Sequence, residues 1–262
     1  MTAVRRLSIV MVLAGFGGNA AAGPLNDTGI DFCRDHAIPF ATDTTVTSTT
    51  TCTAAQGGQD ARYGRDAAAA KGVLPKVGGG SKGFDFTKIA NNGTVLPASA
   101  ALGSGPNDWA CTYDNNTGLM WEVKVDDSTH LRDMDWTYTW YDSVHNYGGN
   151  PGTASGGTCQ TTGRCDTEKF VADVNAANLC GHNDWRMPTF QEIYNLADRG
   201  IAAPGPIIDA TYFPNTIAWY FWSGSPVASI SDAALLVSFS SGNDGWDTRD
   251  LDSQVRLVRA GQ

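Results

Sequence analysis

The segment spanning residues 180–196 restricts the fold of this chain more than any other stretch. Within it, Thr189 and Glu192 form a capping box, in which each side chain satisfies a backbone N–H donor at the start of a helix. Pro188 precedes the cap and blocks any upstream extension of the helix. The segment therefore predicts a helix with a defined first residue and one apolar face. The residues of that face and its aromatic neighbour are Ile193, Leu196, Ala197 and Trp185.

The N-terminus has the pattern of a secretory signal peptide. Arg5 and Arg6 supply the positive charge, an apolar run covers residues 7–16, and three alanines at 20–22 supply a cleavage site. The apolar run is too short to cross a bilayer comfortably. We therefore expect residues 1–22 to be removed and the protein to be secreted, periplasmic or at the cell surface, without membrane insertion.

Export favours disulfide bonds for the six cysteines, which show no paired spacing typical of a metal site. Sequence proximity favours Cys33–Cys52 and Cys159–Cys165, which leaves Cys111–Cys180 as a long-range link. Other pairings stay open, because connectivity does not follow from sequence alone.

The remainder of the chain divides at about residue 108. Residues 23–108 are rich in Thr, Gly, Ala and Asn and predict a loop-rich N-terminal region with a short strand at 84–88. Residues 109–262 predict a denser domain, with a helix over 168–178 capped by Asp166 or Thr167. The residue patterns predict strands at 119–125, 217–222, 233–239 and 254–259, and aromatic residues recur at a spacing of two over 136–141. Two helices packed on short antiparallel sheets make an α+β domain, loop-rich and joined by disulfides.

The charge of the chain limits the class of partner. A net charge of −9 without a Lys/Arg cluster argues against nucleic acid, an anionic membrane or a strongly sulfated polymer. We expect no catalytic residues and no enzyme activity, because His36, His130, His145 and His182 lie in loops without a recognisable partner motif. We expect no cofactor, although the carboxylate pairs at 126–127 and 133–135 leave open the binding of Ca²⁺ by their oxygens.

The segment 223–253 is the candidate binding region. It combines small polar side chains with aromatic and aliphatic ones, a mixture that suits adaptable recognition around rigid anchors. The alternative is an ordinary set of strand edges and turns. The predicted ligand-binding residues are Ser229, Ser231, Asp232, Leu235, Ser238, Ser240, Asn243, Asp244, Trp246, Asp247, Thr248, Asp250 and Asp252.

Four motifs in this order resemble the Lcl C-terminal domain family, named for part of a collagen-like adhesin. They are DNNTGLMW at 114–121, CGHNDWRMPT at 180–189, YFWSGS at 220–225 and VRLVR at 255–259, with Met187 and Gly224 as small departures. The resemblance implies a C-type-lectin-like, formylglycine-enzyme-like fold used for binding. That adhesin binds sulfated polysaccharides, and an acidic chain such as this one is not suited to such ligands. The resemblance therefore implies adhesion in general and not that ligand. Enzymes of this wider fold group use a pair of active-site cysteines, and we do not assign that activity to this chain.

The same resemblance suggests a source of sequence variation. Some family members resemble targets of diversity-generating retroelements, with a variable 3′ gene segment between Tyr-Trp-Ser-type and Val-Arg-type motifs. Trp222-Ser223 and Val255-Arg256 frame such a segment here. This predicts that residues 223–253 are hypervariable, although the composition of sheet turns alone also accounts for them.

We therefore expect an exported, non-enzymatic, adhesin-like protein that binds a protein or glycan outside the cytoplasm through residues 223–253. Trp121, Trp185, Trp222 and the two helices would form the rigid frame. The alternatives are a structural component of an envelope or adhesive assembly and an exported enzyme of unknown reaction. The oligomeric state stays open.

Overall fold

A computed structural model describes residues 27–29, 64–145 and 149–261, and shows an α+β arrangement. The predicted signal peptide and the predicted Cys33–Cys52 disulfide lie outside these residues. Three α-helices and ten strands are present in the described part of the chain. In chain order they are α1 (Arg65–Ala70), β1 (Phe86–Ala90), β2 (Val95–Leu96), β3 (Trp109–Asp114), β4 (Leu119–Glu122), β5 (Tyr138–Thr139), α2 (Thr167–Ala176), α3 (Phe190–Tyr194), β6 (Tyr220–Pro226), β7 (Ala233–Ser238), β8 (Asp244–Thr248), β9 (Asp252–Ser253) and β10 (Val258–Ala260).

The largest sheet has five antiparallel strands in the order β10-β4-β3-β1-β2. The β3–β4 turn forms where Asp114 accepts hydrogen bonds from the backbone of Asn116 and Thr117 and from the Thr117 hydroxyl, an Asx turn completed by Gly118 at φ +72°. The last strand, β10, pairs with β4, so the C-terminus closes this sheet. Strands from both sides of residue 108 pair in it, and the division into domains remains a prediction.

The predicted helices form, with different lengths. Asp166 is the N-cap of α2, and its side chain accepts a hydrogen bond from the Lys169 N–H. The capping box of α3 is confirmed, since both of its reciprocal bonds are present. Helix α3 nevertheless ends at Tyr194, before the buried Leu196 and Ala197. Apolar burial therefore continues beyond the helix itself.

Two disulfides follow the predicted pairing. Cys111 on β3 bonds Cys180, sixty-nine residues later, and Cys159 bonds Cys165 across a separation of 6 residues. The first joins the five-stranded sheet to the start of the 180–196 segment. The second closes a small loop ahead of α2.

The sheet β6-β7-β8 lies between two hydrophobic clusters. Directly paired residues share one face of a sheet, and alternate residues face opposite sides. Trp222 and Leu236 thus pack into one cluster, while Phe221 and Val237 pack into the other. The central residues of β6 and most of β7 are buried on both faces, which leaves β8 as the most accessible strand of the sheet.

Several strand predictions were wrong in extent. The pattern at 136–141 gives only the two-residue strand β5, and the one at 217–222 is displaced to Tyr220–Pro226. The pattern at 254–259 gives only β10, since Val255 and Leu257 are buried without belonging to a strand. The strand β8 was not predicted, because its Gly and Asp residues are typical of turns.

No helix among the described residues has the length and apolar character needed to cross a membrane.

Candidate ligand-binding surface

Strand β8 is the open edge of the three-stranded sheet. The Ser238 N–H donates to the Asn243 carbonyl at 2.9 Å, and the Arg249 N–H donates to the Asp232 carbonyl at 2.8 Å. Hydrogen-bonded pairs alternate along an antiparallel ladder, so these two bonds determine which β8 residues face β7. The backbone groups of Gly245 and Asp247 point to β7, and those of Asp244, Trp246 and Thr248 point outward.

The outward backbone groups differ in how they are used. The Thr248 N–H donates to the Asp247 carboxylate at 2.9 Å, and its carbonyl accepts from the Leu251 N–H. None of the described residues bonds the outward backbone groups of Asp244 or Trp246. This edge is therefore able to pair with another extended chain. We call β8, together with residues 227–232, 239–243 and 249–251 at its two ends, the edge surface.

Large aromatic side chains are exposed on and beside the edge surface. Trp246 is 55% exposed and pairs with the half-buried Leu235. Trp219 and Tyr220 are 54% and 42% exposed and contact each other edge-to-face at 5.8 Å between ring centroids. Tyr220 also lies beside Gly245, where an added Cβ would be 4.0 Å from the tyrosine ring. Tyr220 is the first residue of the YFWSGS motif and was not among the predicted ligand-binding residues.

The structure brings most of the predicted binding residues to this surface. Most fall at the β6–β7 loop, along β8 and at the β7–β8 turn, while Leu235 lies on β7, Asp250 follows β8 and Asp252 lies on β9. The exposed members are Ser229, Ser231, Asp232, Asn243, Asp244, Trp246, Asp250 and Asp252, and the partly buried ones are Leu235, Ser240, Asp247 and Thr248.

Ser238 differs from the other predicted residues. It is only 3% exposed, and its hydroxyl accepts a hydrogen bond from the Ser240 N–H within the turn. Its side chain shares a sheet face with Tyr220 rather than with Trp246. The prediction that Ser238 faces a ligand conflicts with this burial, so the residue supports the turn instead.

Arg249 anchors one end of the hairpin. Although charged, it is only 2% exposed, with its guanidinium 4.2 Å from the Trp140 ring centroid. Its Nε donates to the Ala233 carbonyl at 3.2 Å, and its Nη1 donates to the Asn150 carbonyl. The start of β7 and the end of β8 are thus held to the core at one point.

Arg199 anchors the other end. Its guanidinium lies 3.9 Å from the Tyr194 ring centroid and donates to the carbonyls of Tyr194 and Gly242 at 3.2 and 3.5 Å. The Ile207 N–H also donates to the Phe239 carbonyl at 2.7 Å. The β7–β8 turn is therefore attached to the segment that follows α3, and the hairpin is held at both ends.

The predicted frame is confirmed as buried. Trp121, Trp185 and Trp222 are almost fully enclosed. The Trp222 indole donates to the Tyr138 carbonyl at 2.9 Å, and the Trp185 indole donates to the Leu179 carbonyl at 3.0 Å. These bonds satisfy the polar ends of large core side chains and connect the sheets.

The four sequence motifs pack against one another. The Gly224 N–H donates to the Pro188 carbonyl at 2.7 Å, and Arg186 exchanges backbone hydrogen bonds with Val258. Arg259 forms an ion pair with Asp184 at 2.6 Å. The motifs therefore identify the frame behind the edge surface rather than the surface itself.

A buried ionic cluster lies where β4 meets the segment before β10. Glu122 contacts the Lys124 ammonium at 2.9 Å and accepts the Leu257 N–H at 2.9 Å. Arg256 donates to the Glu122 backbone carbonyl at 2.6 Å, and Arg132 lies in the same buried region. Burial lowers the pKa of Arg256 to about 10 and also lowers the pKa values of Lys124 and Arg132, while Glu122 opposes all three shifts.

A cavity of about 640 Å³ lies beside β1, β2 and β3, and the sequence did not predict it. Tyr113, Tyr212 and His182 line it together with Lys88. The Lys88 ammonium donates to the Ala100 carbonyl at 2.9 Å and lies 3.8 Å from the Trp109 ring, and burial lowers its pKa. Its size and mixed lining fit a small-molecule site.

Two of the described histidines, His130 and His145, have local partners, while His182 lines the cavity. The His130 Nδ1 accepts the Arg132 N–H at 3.0 Å, and burial lowers the pKa of His130. His145 pairs with Asp142 at 2.7 Å, while the neighbouring Ser143 hydroxyl donates to Glu168. His36 lies outside the described residues.

The acidic pairs serve nearby turns. The Asp133 carboxylate accepts the N–H groups of Asp127 and Asp135, both at 2.7 Å. Asp127 in turn accepts the N–H and hydroxyl of Thr129. Within the part of the chain that the structure describes, no group of three or more His, Cys, Asp or Glu side chains is arranged to hold a metal ion.

Comparison with known proteins gives one finding. Residues 110–259, more than half of the chain, match the family model of the Lcl C-terminal domain. Searches of the curated proteins and of the solved structures return no significant match.

Proposed function

The chain belongs to the Lcl C-terminal domain family, and from this premise we propose that it is an exported, non-enzymatic binding protein whose ligand contacts the edge surface. The secretory leader predicted at residues 1–22 and the two disulfides among the described residues fit a site of action outside the cytoplasm. The C-type-lectin-like fold implied by the family resemblance belongs to the same proposal.

One observation carries the proposal. The edge surface displays Trp246 and a set of small polar side chains on a hairpin that Arg249 and Arg199 hold at its two ends. A half-exposed tryptophan costs free energy in water, because its apolar ring surface is not removed from solvent. On a rigid support it provides contact area with little further loss of conformational entropy on binding.

The side chains of the edge surface suit binding better than catalysis. Its polar groups are mainly carboxylates and hydroxyls, the described residues there include no histidine or thiol, and no hydroxyl there is hydrogen-bonded to a carboxylate that could act as its base. We therefore place recognition, rather than a reaction, at this surface. Diversification of residues 223–253 would fit the same role, because it would change the recognised ligand.

The test compares two variants of the mature protein on arrays of glycans and of extracellular peptides. In the first variant, Trp246→Ser is combined with Asp244→Ser and Thr248→Ala. The matched control carries Val73→Ser with Asp126→Ser and Thr94→Ala, which alters an exposed aliphatic group, a carboxylate and a hydroxyl away from β8.

We expect the β8 variant to lose the array signals of the parent protein, while its melting temperature stays within a few degrees. The control should keep both the signals and the melting temperature. Equal signals from parent and β8 variant would refute the proposal. A large loss of stability in the β8 variant alone would assign these residues to structure instead.

A further inference from the structure

The open edge of β8 restricts the chemistry of any partner that binds there. From the geometry of this edge, and resting on the proposed function, we infer that its ligand is a basic polypeptide segment. The segment pairs with β8 as an added strand and presents Lys or Arg side chains to the edge surface.

The first step is the hydrogen-bonding capacity of the edge. The outward N–H and C=O groups of Asp244 and Trp246 have no partner among the described residues. Successive outward-facing residues offer alternating donors and acceptors to an antiparallel or parallel strand. Adding a strand to an exposed sheet edge is a common mode of peptide recognition, in which main-chain bonds supply affinity and side chains supply specificity.

The second step is the distribution of charge. Asp232, Asp244 and Asp250 are exposed, and no described side chain donates a hydrogen bond to their carboxylates. Asp247 and Asp252 add two carboxylates that accept bonds from Thr248 and Thr137. The one cation between residues 219 and 253, Arg249, is buried against Trp140, so the exposed charges of that range are negative. The partly buried Arg199 at the β7–β8 turn donates to the Tyr194 and Gly242 carbonyls.

The third step is the alternation of side chains along β8. Asp244, Trp246 and Thr248 point to one face of the sheet, and Asp247 points to the other. An added strand places its own side chains about 5 Å from those directly opposite. Whichever face of the added strand carries its basic side chains, one of these carboxylates lies on the same face. The Trp246 ring can also contact a neighbouring ammonium or guanidinium group.

The charge pattern also selects against other occupants. A second copy of this chain pairing edge to edge would add the same set of carboxylates to this edge without adding an exposed cation, and concentrated like charges repel. An anionic polysaccharide would meet the same repulsion. A basic extended segment is the occupant that satisfies both the backbone groups and the charge.

The experiment uses the disulfide-bonded mature protein and three fluorescent peptides of equal length. The first alternates Lys with Thr, the second replaces every Lys with Glu, and the third is the Lys/Thr peptide with alternate backbone nitrogens methylated. Methylation removes the donors that an added strand needs while keeping the charge. Binding is followed by fluorescence anisotropy at low and physiological ionic strength.

We expect the Lys/Thr peptide to bind, and the other two peptides to bind at least about tenfold more weakly. Asp244→Asn combined with Asp247→Asn should weaken binding roughly tenfold, since each exposed ion pair changes affinity by up to about fivefold. Asp126→Asn with Asp135→Asn removes two exposed carboxylates elsewhere and should leave the dissociation constant within about twofold.

Three results would overturn the inference: equal binding of the Glu peptide, equal binding of the methylated peptide, or an equal loss in the Asp126/Asp135 control. If the double β8 variant instead associates with itself and the parent binds no peptide, the carboxylates serve only to protect the edge. Array signals from a neutral glycan that vanish on changing Trp246 would keep the proposed function and still refute this inference.

Discussion

Replacing Glu122 with Gln should strongly destabilise the protein, although the change is nearly isosteric. Glu122 is fully buried, and among the described residues it is the carboxylate that opposes the lowered pKa values of Lys124, Arg132 and Arg256. The variant leaves three buried cations without a counter-charge. Glutamine also puts an NH2 group in place of one of the two carboxylate oxygens, which contact the Lys124 ammonium and the Leu257 N–H.

The magnitude follows from the cost of breaking a buried ion pair, which is about 3–5 kcal/mol when one partner is removed. For a chain of this size, 1 kcal/mol corresponds to a change in melting temperature of about 2–4 °C. We therefore expect Glu122→Gln to lower the melting temperature by roughly 6–20 °C. Urea unfolding followed by tryptophan fluorescence and circular dichroism, with disulfides intact, measures the free energy of unfolding directly.

A double-mutant cycle separates charge from shape. Lys124→Met removes one buried cation and should cost less than Glu122→Gln, because the remaining carboxylate still faces Arg256. Combined with Glu122→Gln, it should recover part of the loss, so the two effects should not add. If Glu122→Gln changes the free energy of unfolding by less than about 1 kcal/mol, or if the two losses add, the electrostatic reasoning is refuted.

Two further predictions concern the disulfides and a buried carboxyl group. Replacing the Cys111–Cys180 pair with alanines should cost about 4 kcal/mol and replacing Cys159–Cys165 about 2 kcal/mol, because loop-closure entropy grows with separations of 69 and 6 residues; urea unfolding that gives the reverse order would contradict this. Burial raises the pKa of Asp114 to about 6, so the folded state binds this proton more tightly than the unfolded chain, and the group's contribution to stability falls as the pH rises from about 4 to 6. Asp114→Asn keeps the Asx turn acceptor and should flatten that pH dependence in thermal melts, whereas an unchanged slope would show that Asp114 does not cause it.

The elements that local signals determine were predicted well. The capping box of α3 depends on two residues three positions apart, and the N-cap of α2 depends on Asp166 and its immediate neighbours. The Cys159–Cys165 pair follows from a short separation. In each case the physical cause lies within a few residues of the chain, so the sequence pattern contains it.

Features that depend on distant packing were not predictable. Strand β8 has the composition of a turn, and its extended shape comes from pairing with β7. The burial of Arg249 depends on Trp140, more than a hundred residues earlier, and the 640 Å³ cavity forms between strands and loops. Likewise, most residues of the predicted binding set are exposed or partly buried, but the burial of Ser238 follows only from the register of β6 and β7.

The two arginine anchors have a consequence for how the molecule tolerates change. Arg249 and Arg199 hold the hairpin by donating to main-chain carbonyls, at Ala233, Asn150, Gly242 and Tyr194. Carbonyl oxygens are the same in every residue type, so this attachment does not depend on which side chains the hairpin displays. The exposed positions of β8 are thus interchangeable without loosening their support, and new specificities could arise there while the architecture behind them stays constant.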